Sequence, residues 1–324
     1  MKKILSVLLV LSLLCSFGTT FAEGPDGPGG RGGNGGRGGN GGSVDKSGDE
    51  ALQTMIAEVA PKFQLLTFDD AESGTQLQYQ LFVPEGYDAN EIYPLIQFIP
   101  DSSVVGKGAD AVLTQGWGGL IWATEAEQAK HPAFVVVPVF TETIVDDNFN
   151  HSAQIEVALR LIQSLTETYS IDTDRLYTTG QSMGGMTSFY LNATYPDLFA
   201  ASLFVGSQWD NSILNVLEDK QFFYIVSAGD SKASAGQSGL LAVFDADGAA
   251  YSQREWSAQE SAEVQNENVA EMLLEGHGAN FITFTYGTTT ANGQVGSGVG
   301  EHMTSFDYAY KIEAVRDWLF EQSK

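Results

Sequence analysis

Cysteine is almost missing from this chain of 324 residues, with Cys15 its only example. Cys15 lies in an N-terminal apolar segment expected to be removed. Disulfides, a cysteine nucleophile and cysteine metal ligation are therefore excluded by inventory. Basic residues are scarce too, 16 against 41 acidic ones, for a formal net charge of −25. That balance repels phosphate backbones and anionic headgroups, so nucleic acid is not an expected partner and the acidity is read as solubility. Only four histidines occur, and no His/Asp/Glu group has metal-ligand spacing. Neither a metal nor any other cofactor is expected. Long apolar runs are also lacking. The run Ile4 to Leu14 falls short of the roughly 20 residues a spanning helix needs, and no second one follows, so no membrane anchor is expected.

What is present divides the chain in three. Residues 1–22 carry Lys2-Lys3, that apolar run and then Thr20-Phe21-Ala22, the order of a cleaved secretory signal. Residues 23–48 are rich in glycine with Asn and Arg interleaved, cannot bury apolar area, and read as a flexible spacer. Residues 49–324 read as one large globular domain, since apolar residues make up 43% of the chain and charged residues 18%. The expected location is secreted or extracytoplasmic.

Within that domain the hydrophobic pattern alternates between two kinds of segment. Phe63 to Phe68 and Leu77 to Val83 read as paired strands around Glu72-Ser73-Gly74. Short apolar runs without polar alternation follow at Leu95–Ile99, Phe134–Val139, Leu176–Thr179, Ser202–Val205, Phe222–Ser227 and Phe281–Tyr286. Such runs suit strands buried on both faces. Helix-period segments are expected at Asp49–Ala60, Ala153–Thr168, Gly184–Thr194, Gly239–Ala249, Val264–Glu275 and Tyr308–Gln322. Strands alternating with helices predict an α/β fold, a doubly wound, mostly parallel sheet with helices on both faces and sites at the carboxyl ends of its strands.

One motif stands in a telling context. Gly180-Gln181-Ser182-Met183-Gly184-Gly185 directly follows the expected strand Leu176–Thr179 and opens a helix-period stretch. A serine on a sharp strand-to-helix turn projects its hydroxyl above the sheet, and the N–H of Met183 at the helix start is free to face an oxyanion. With 36 glycines the five residues alone are weak evidence, and a plain βα turn capped by serine is the competing reading. A phosphate-binding loop fits less well, because no Gly-Lys-Ser/Thr follows the strand.

The likeness extends beyond that turn. Ile171-Asp172-Thr173-Asp174-Arg175-Leu176-Tyr177, the Ser182 motif, Tyr195-Pro196-Asp197-Leu198-Phe199-Ala200-Ala201, Tyr93-Pro94-Leu95-Ile96 and Glu313-Ala314-Val315-Arg316-Asp317-Trp318-Leu319 together resemble secreted α/β-hydrolase esterases. These are the carboxylesterase, feruloyl-esterase and polyhydroxybutyrate-depolymerase-like relatives. The resemblance implies an α/β-hydrolase fold and a small-molecule or polymer ester as substrate, and it leaves the oligomeric state open.

It also implies a chain order of Ser, then acid, then His. His277 and His302 are the histidines after Ser182, and His302-Met303-Thr304-Ser305-Phe306 sits where such esterases carry their base. His277, in Gly276-His277-Gly278, is accounted for by a helix end. The resemblance puts the orienting acid after the strand Phe222–Ser227, at Asp230, with Asp210 in reserve; Asp245 and Asp247 read as surface groups. Family members usually carry His-Gly after the strand equivalent to Leu95–Ile99, whereas this chain has Pro100-Asp101-Ser102-Ser103. A backbone N–H of Ser102 or Ser103 is the expected second oxyanion donor, with Asp101 an unfavourable neighbour unless it points away. Trp117, Trp122 and Trp209 are candidate substrate-binding aromatics, each with core packing as the alternative.

The leading expectation is a serine ester hydrolase acting through an acyl-enzyme on Ser182. The alternatives are a prolyl-oligopeptidase-like peptidase, and a catalytically silent α/β-hydrolase-like binding module for which Pro100-Asp101 is the main argument.

Overall fold

The structure, a computed structural model, describes residues 44–290 and 298–324. The expected leader, the spacer as far as residue 43 and part of the Gly-rich stretch before His302 lie outside the described residues.

Among the described residues nine strands form one sheet: β1 Gln64–Asp70, β2 Thr75–Phe82, β3 Tyr93–Ile99, β4 Phe134–Val139, β5 Ile171–Gln181, β6 Ala201–Val205, β7 Phe222–Ser227, β8 Tyr251–Trp256 and β9 Ala279–Phe284. Their spatial order is β1-β2-β4-β3-β5-β6-β7-β9-β8. β1 pairs antiparallel with β2, and β2 antiparallel with β4. All remaining pairings are parallel. The helices are α1 Glu50–Val59, α2 Ala111–Thr114, α3 Glu125–Lys130, α4 Gln154–Thr168, α5 Met183–Thr194, α6 Ser231–Asp247, α7 Ala262–Leu273, α8 Gly298–Lys311 and α9 Glu313–Glu321.

Burial on both faces explains why the central strands lack polar alternation. Along β4, Phe134 and Val136 enter one core while Val135, Val137 and Val139 enter the other. Along β7, Phe222, Tyr224 and Val226 lie opposite Phe223 and Ile225 in the same way. Apolar residues of α4, α5 and α6 cover one face; those of α1, α7, α8 and α9 cover the other. The architecture is the doubly wound α/β-hydrolase type that the pattern predicts.

Chain order reverses between β3 and β5: from β3 the chain moves outward to β4 and returns to β5 on the opposite side of β3. The carboxyl edge at such a reversal is the usual place for a ligand in sheets of this kind.

Three expectations need correction. β8 was not expected, because Tyr251-Ser252-Gln253-Arg254-Glu255-Trp256 exposes three consecutive polar residues; as an edge strand it needs only one partner. α6 begins at Ser231, not Gly239, because the Asp230 side chain caps it by accepting from the Ala233 N–H. The segment expected as one helix over Tyr308–Gln322 is two, broken at Ile312 (φ −73°, ψ 101°), and the first of them begins at Gly298. His302 thus stands on a helix, not in a loop before one.

Candidate active site

Ser182 lies where β5 turns into α5, and its backbone is strained, with φ 52° and ψ −119°. Positive φ is unfavourable for a residue with a Cβ, and it persists only where the surroundings impose it. Close backbone packing imposes it here. A Cβ at Gly184 would fall 1.9 Å from the Ile99 carbonyl oxygen, and one at Gly180 would fall 2.3 Å from the Gly184 carbonyl carbon. Both positions need glycine, and in consequence the end of β3, the serine turn and the start of α5 touch through their backbones.

Three side chains from distant parts of the chain converge at this turn. His302 Nε2 lies 2.9 Å from Ser182 Oγ, and His302 Nδ1 is hydrogen-bonded to Asp230 Oδ2. Asp230 is 4% exposed, follows the end of β7 and also accepts from the Ala233 N–H at 3.2 Å. An ionised carboxylate only accepts, so Nδ1 donates to it and Nε2 is left as the acceptor for the serine hydroxyl. Phe306, one turn along α8, packs at 81° to the imidazole with 4.9 Å between centroids. The ring is thus held on two sides.

The loop carrying Asp230 is braced from below. Tyr224, fully buried in β7, donates its hydroxyl to the Ser207 carbonyl and to the Ala233 carbonyl, the latter at 3.2 Å. Burial first, and then the charge of Asp230, push this phenol well above its ordinary pKa, so it stays a donor. The end of β6 is thereby tied to the first turn of α6.

The expected oxyanion donors fare differently. The Met183 N–H opens α5 and makes no hydrogen bond to another described residue. The Ser103 N–H is already taken by Asp101 Oδ1 at 2.7 Å, which removes Ser103 as a donor and leaves Ser102. Asp101 does not hang free beside the serine. It is buried, caps the short 3-10 turn Ser102–Val104, and its Oδ2 accepts from Gln181 Nε2 at 2.7 Å. Gln115 Oε1 accepts from the Asp101 N–H (3.3 Å) and from Gln181 Nε2 (3.2 Å).

The remaining candidates lie elsewhere. His277 sits before β9, at the amino edge of the sheet, opposite Ser182. Asp210 caps the turn Asn211–Asp219 by accepting from Ser212. Trp122 is a correction: it is 0% exposed and its indole donates to the Gly118 carbonyl at 2.8 Å. Trp117 is half-buried; its indole donates to Asp49 and its ring lies under the Lys311 ammonium, 4.4 Å from its centroid. Trp209 is 3% exposed, with both Phe149 and Tyr190 edge-on to it. Trp122 and Trp209 therefore offer no open wall.

Residues 146–150, which sequence reasoning passed over, stand beside Trp209. Asp146 accepts from Asn148 and Asn150 to shape this turn, and Phe149 takes a φ of 62° at its tip. Asp147 bonds Gln208 at 3.0 Å and pairs with Lys232, two residues beyond Asp230. The Asx pattern Asp146-x-Asn148-x-Asn150 was a readable turn signal. A cleft of about 570 Å³ opens nearby, lined among others by Ser73, Thr75, Glu142, Asn150 and Gln154. Ser182, Asp230 and His302 do not line it.

Among the described residues no cluster of His, Cys, Asp and Glu is arranged to hold a metal ion, and no helix is long and apolar enough to cross a membrane.

A serine hydroxyl hydrogen-bonded to an imidazole that is itself oriented by a carboxylate is an arrangement for nucleophilic attack on an acyl carbon. The family model Esterase ("Putative esterase") matches residues 71–275, a stretch that holds Ser182 and Asp230 and ends before His302. The chain belongs to this esterase family. Similar solved structures agree on the fold. A thermostable esterase superposes with a TM-score of 0.66 at 23% identity, over 82% of this chain and 64% of that one, so the chain spans somewhat less than two thirds of that protein. A ferulic acid esterase superposes with a TM-score of 0.52 at 10% identity over 80% of this chain and 98% of its own. A protein named FAE gives 0.51 at 15% identity, over 80% and 92%. No curated protein matches the chain.

Proposed function

We propose that the protein is a secreted serine carboxylic-ester hydrolase that works through an acyl-enzyme on Ser182. The observation that carries this reading is the continuous hydrogen-bonded line Ser182 Oγ, His302 Nε2, His302 Nδ1, Asp230 Oδ2 at the carboxyl edge of the sheet.

On this reading His302 Nε2 takes the hydroxyl proton as Ser182 Oγ bonds to the ester carbonyl carbon. The carbonyl oxygen becomes an oxyanion facing the N–H groups of Met183 and Ser102. His302 then passes its proton to the leaving alkoxide, the carbon–oxygen ester bond breaks, and the alcohol departs. Water attacks the acyl-enzyme with His302 again as base; the acid is released and Ser182 regains its proton. Asp230 stays ionised throughout, holding the tautomer and stabilising the imidazolium. The strain at Ser182 supports the same reading, since a cost of about 1–3 kcal/mol at one residue is retained where the geometry is used. Export is proposed from the composition of residues 1–22.

The test offers the protein a short-chain aryl ester, a feruloyl ester and a peptide anilide. Ester turnover that disappears in Ser182→Ala and in His302→Ala is expected. Cleavage of the anilide alone would indicate a peptidase, and no turnover of any of the three would indicate a binding module.

A further inference from the structure

Next to His302 stands a second buried acid. Glu301 is 2% exposed, and among the described residues no cation pairs with it. A carboxylate withdrawn from water without a counter-charge is costly and persists only where hydrogen bonds hold it. Its Oε2 accepts from Ser227 Oγ at 2.8 Å and from the Gly287 N–H at 3.1 Å. Ser227 ends β7, and Gly287 lies just beyond the end of β9. The carboxylate therefore ties α8 to the carboxyl ends of two neighbouring strands.

The same carboxylate fills the space beside Gly229. A Cβ there would come within 2.0 Å of Glu301 Cδ and of both carboxylate oxygens. The turn Ser227-Ala228-Gly229-Asp230 is thus moulded around the Glu301 side chain. It is closed by the Gly229 N–H donating to Ser227 Oγ at 3.3 Å and the Asp230 N–H donating to the Ser227 carbonyl at 3.0 Å. Asp230 hangs from one side of this contact and His302 from the other.

We infer that Glu301 is a positioning residue for hydrolysis, locking the Asp230 turn to the helix that carries His302 so that the carboxylate–imidazole bond keeps its register. The inference rests on the proposed acyl-enzyme reading for its kinetic consequence. Its structural content, that Glu301 controls the Asp230–His302 bond, does not depend on turnover.

The experiment compares wild type with Glu301→Gln, and with Ser227→Ala as the variant that removes one donor and leaves the carboxylate in place. Each is measured in two ways. In the first, kcat and KM on a short aryl ester are normalised to sites titrated with a serine-directed phosphonate. Glu301→Gln is expected to lower kcat about 10–100-fold with KM within about twofold, the range for loss of a supporting partner. Ser227→Ala should lose less, and the double variant no more than Glu301→Gln alone. In the second, the imidazole Nδ1 proton of His302 is followed by NMR without substrate. Its far-downfield resonance is expected to move upfield or vanish in Glu301→Gln. A Glu301→Gln protein with wild-type kcat per titrated site and an unchanged Nδ1 resonance overturns the inference, as does a loss of rate that only follows loss of folded protein. If wild type shows no Ser182-dependent turnover while the Nδ1 resonance still depends on Glu301, the hydrolase reading fails and the coupling stands.

Discussion

Asp101 and Gln181 are joined by a buried hydrogen bond of 2.7 Å that runs from the loop after β3 to the residue before the serine. Asp101 also takes up the Ser103 N–H. The carboxylate that sequence reasoning regarded as a hazard to an oxyanion is spent on fixing the loop whose Ser102 N–H would receive one. Asp101→Ala frees that loop and leaves the Gln181 amide without this partner. The expected outcome is a fall in kcat of about 10–100-fold with KM little changed, somewhat below the cost of deleting an oxyanion donor outright. Asp101→Asn, which keeps an acceptor for Ser103, should lose less. Steady-state kinetics on an aryl ester separate the two.

Asp230 is the acid proposed for the orienting role, because it is hydrogen-bonded to His302 while Asp210 caps the turn Asn211–Asp219. Asp230→Asn is expected to reduce kcat about 10⁴-fold, because an amide that presents N–H to the imidazole selects the wrong tautomer. Asp210→Asn should leave kcat within about twofold. Reversal of this ranking would return the acid to the end of β6.

Trp122 is core and not a substrate wall. Trp122→Ala is expected to cost about 3–5 kcal/mol of stability by chemical denaturation. KM of the remaining folded protein should stay unchanged. A raised KM at unaltered stability would restore the substrate-binding reading.

Arg160 grips Asp70 with two hydrogen bonds of 2.7 Å. With Ser73 it holds that carboxyl well below its ordinary pKa. A depressed folded-state value means the stabilisation is fully present above the unfolded carboxyl's pKa of about 3.9, and is lost as pH falls through the folded one. Asp70→Asn should therefore melt lower than wild type at pH 7. The gap should begin to close only below about pH 4. A gap that closes between pH 7 and pH 5 would contradict this assignment.

How much of this was legible in the sequence varies with the kind of signal. Strands buried on both faces announce themselves, since Phe134–Val139 and Phe222–Ser227 need apolar side chains on both sides, and their bounds coincide with the expected runs. The edge strand β8 does not, because a polar edge strand borrows its conformation from β9. Ser182 was visible through the glycines that its close packing demands. His302 was visible through the resemblance of His302-Met303-Thr304-Ser305-Phe306 to the esterase pattern, with only four histidines to choose among, although its helix was not, since part of that stretch is rich in glycine. Glu301 was lost among 41 acidic residues, and Asp101 was noticed only as a hazard; a contact across 74 positions of chain gives the first a role, and one across 80 gives the second its own.

The proposed chemistry turns on a covalent bond at one oxygen atom. Rapid mixing with a slowly deacylating aryl ester, acid quench, and mass spectrometry of the intact protein and its peptides measures it directly. One acyl group per molecule, on the peptide containing Ser182 and formed in a burst before steady turnover, is the predicted result. Ester hydrolysis that proceeds at an undiminished rate in Ser182→Ala, with no acyl adduct at any time, would contradict it.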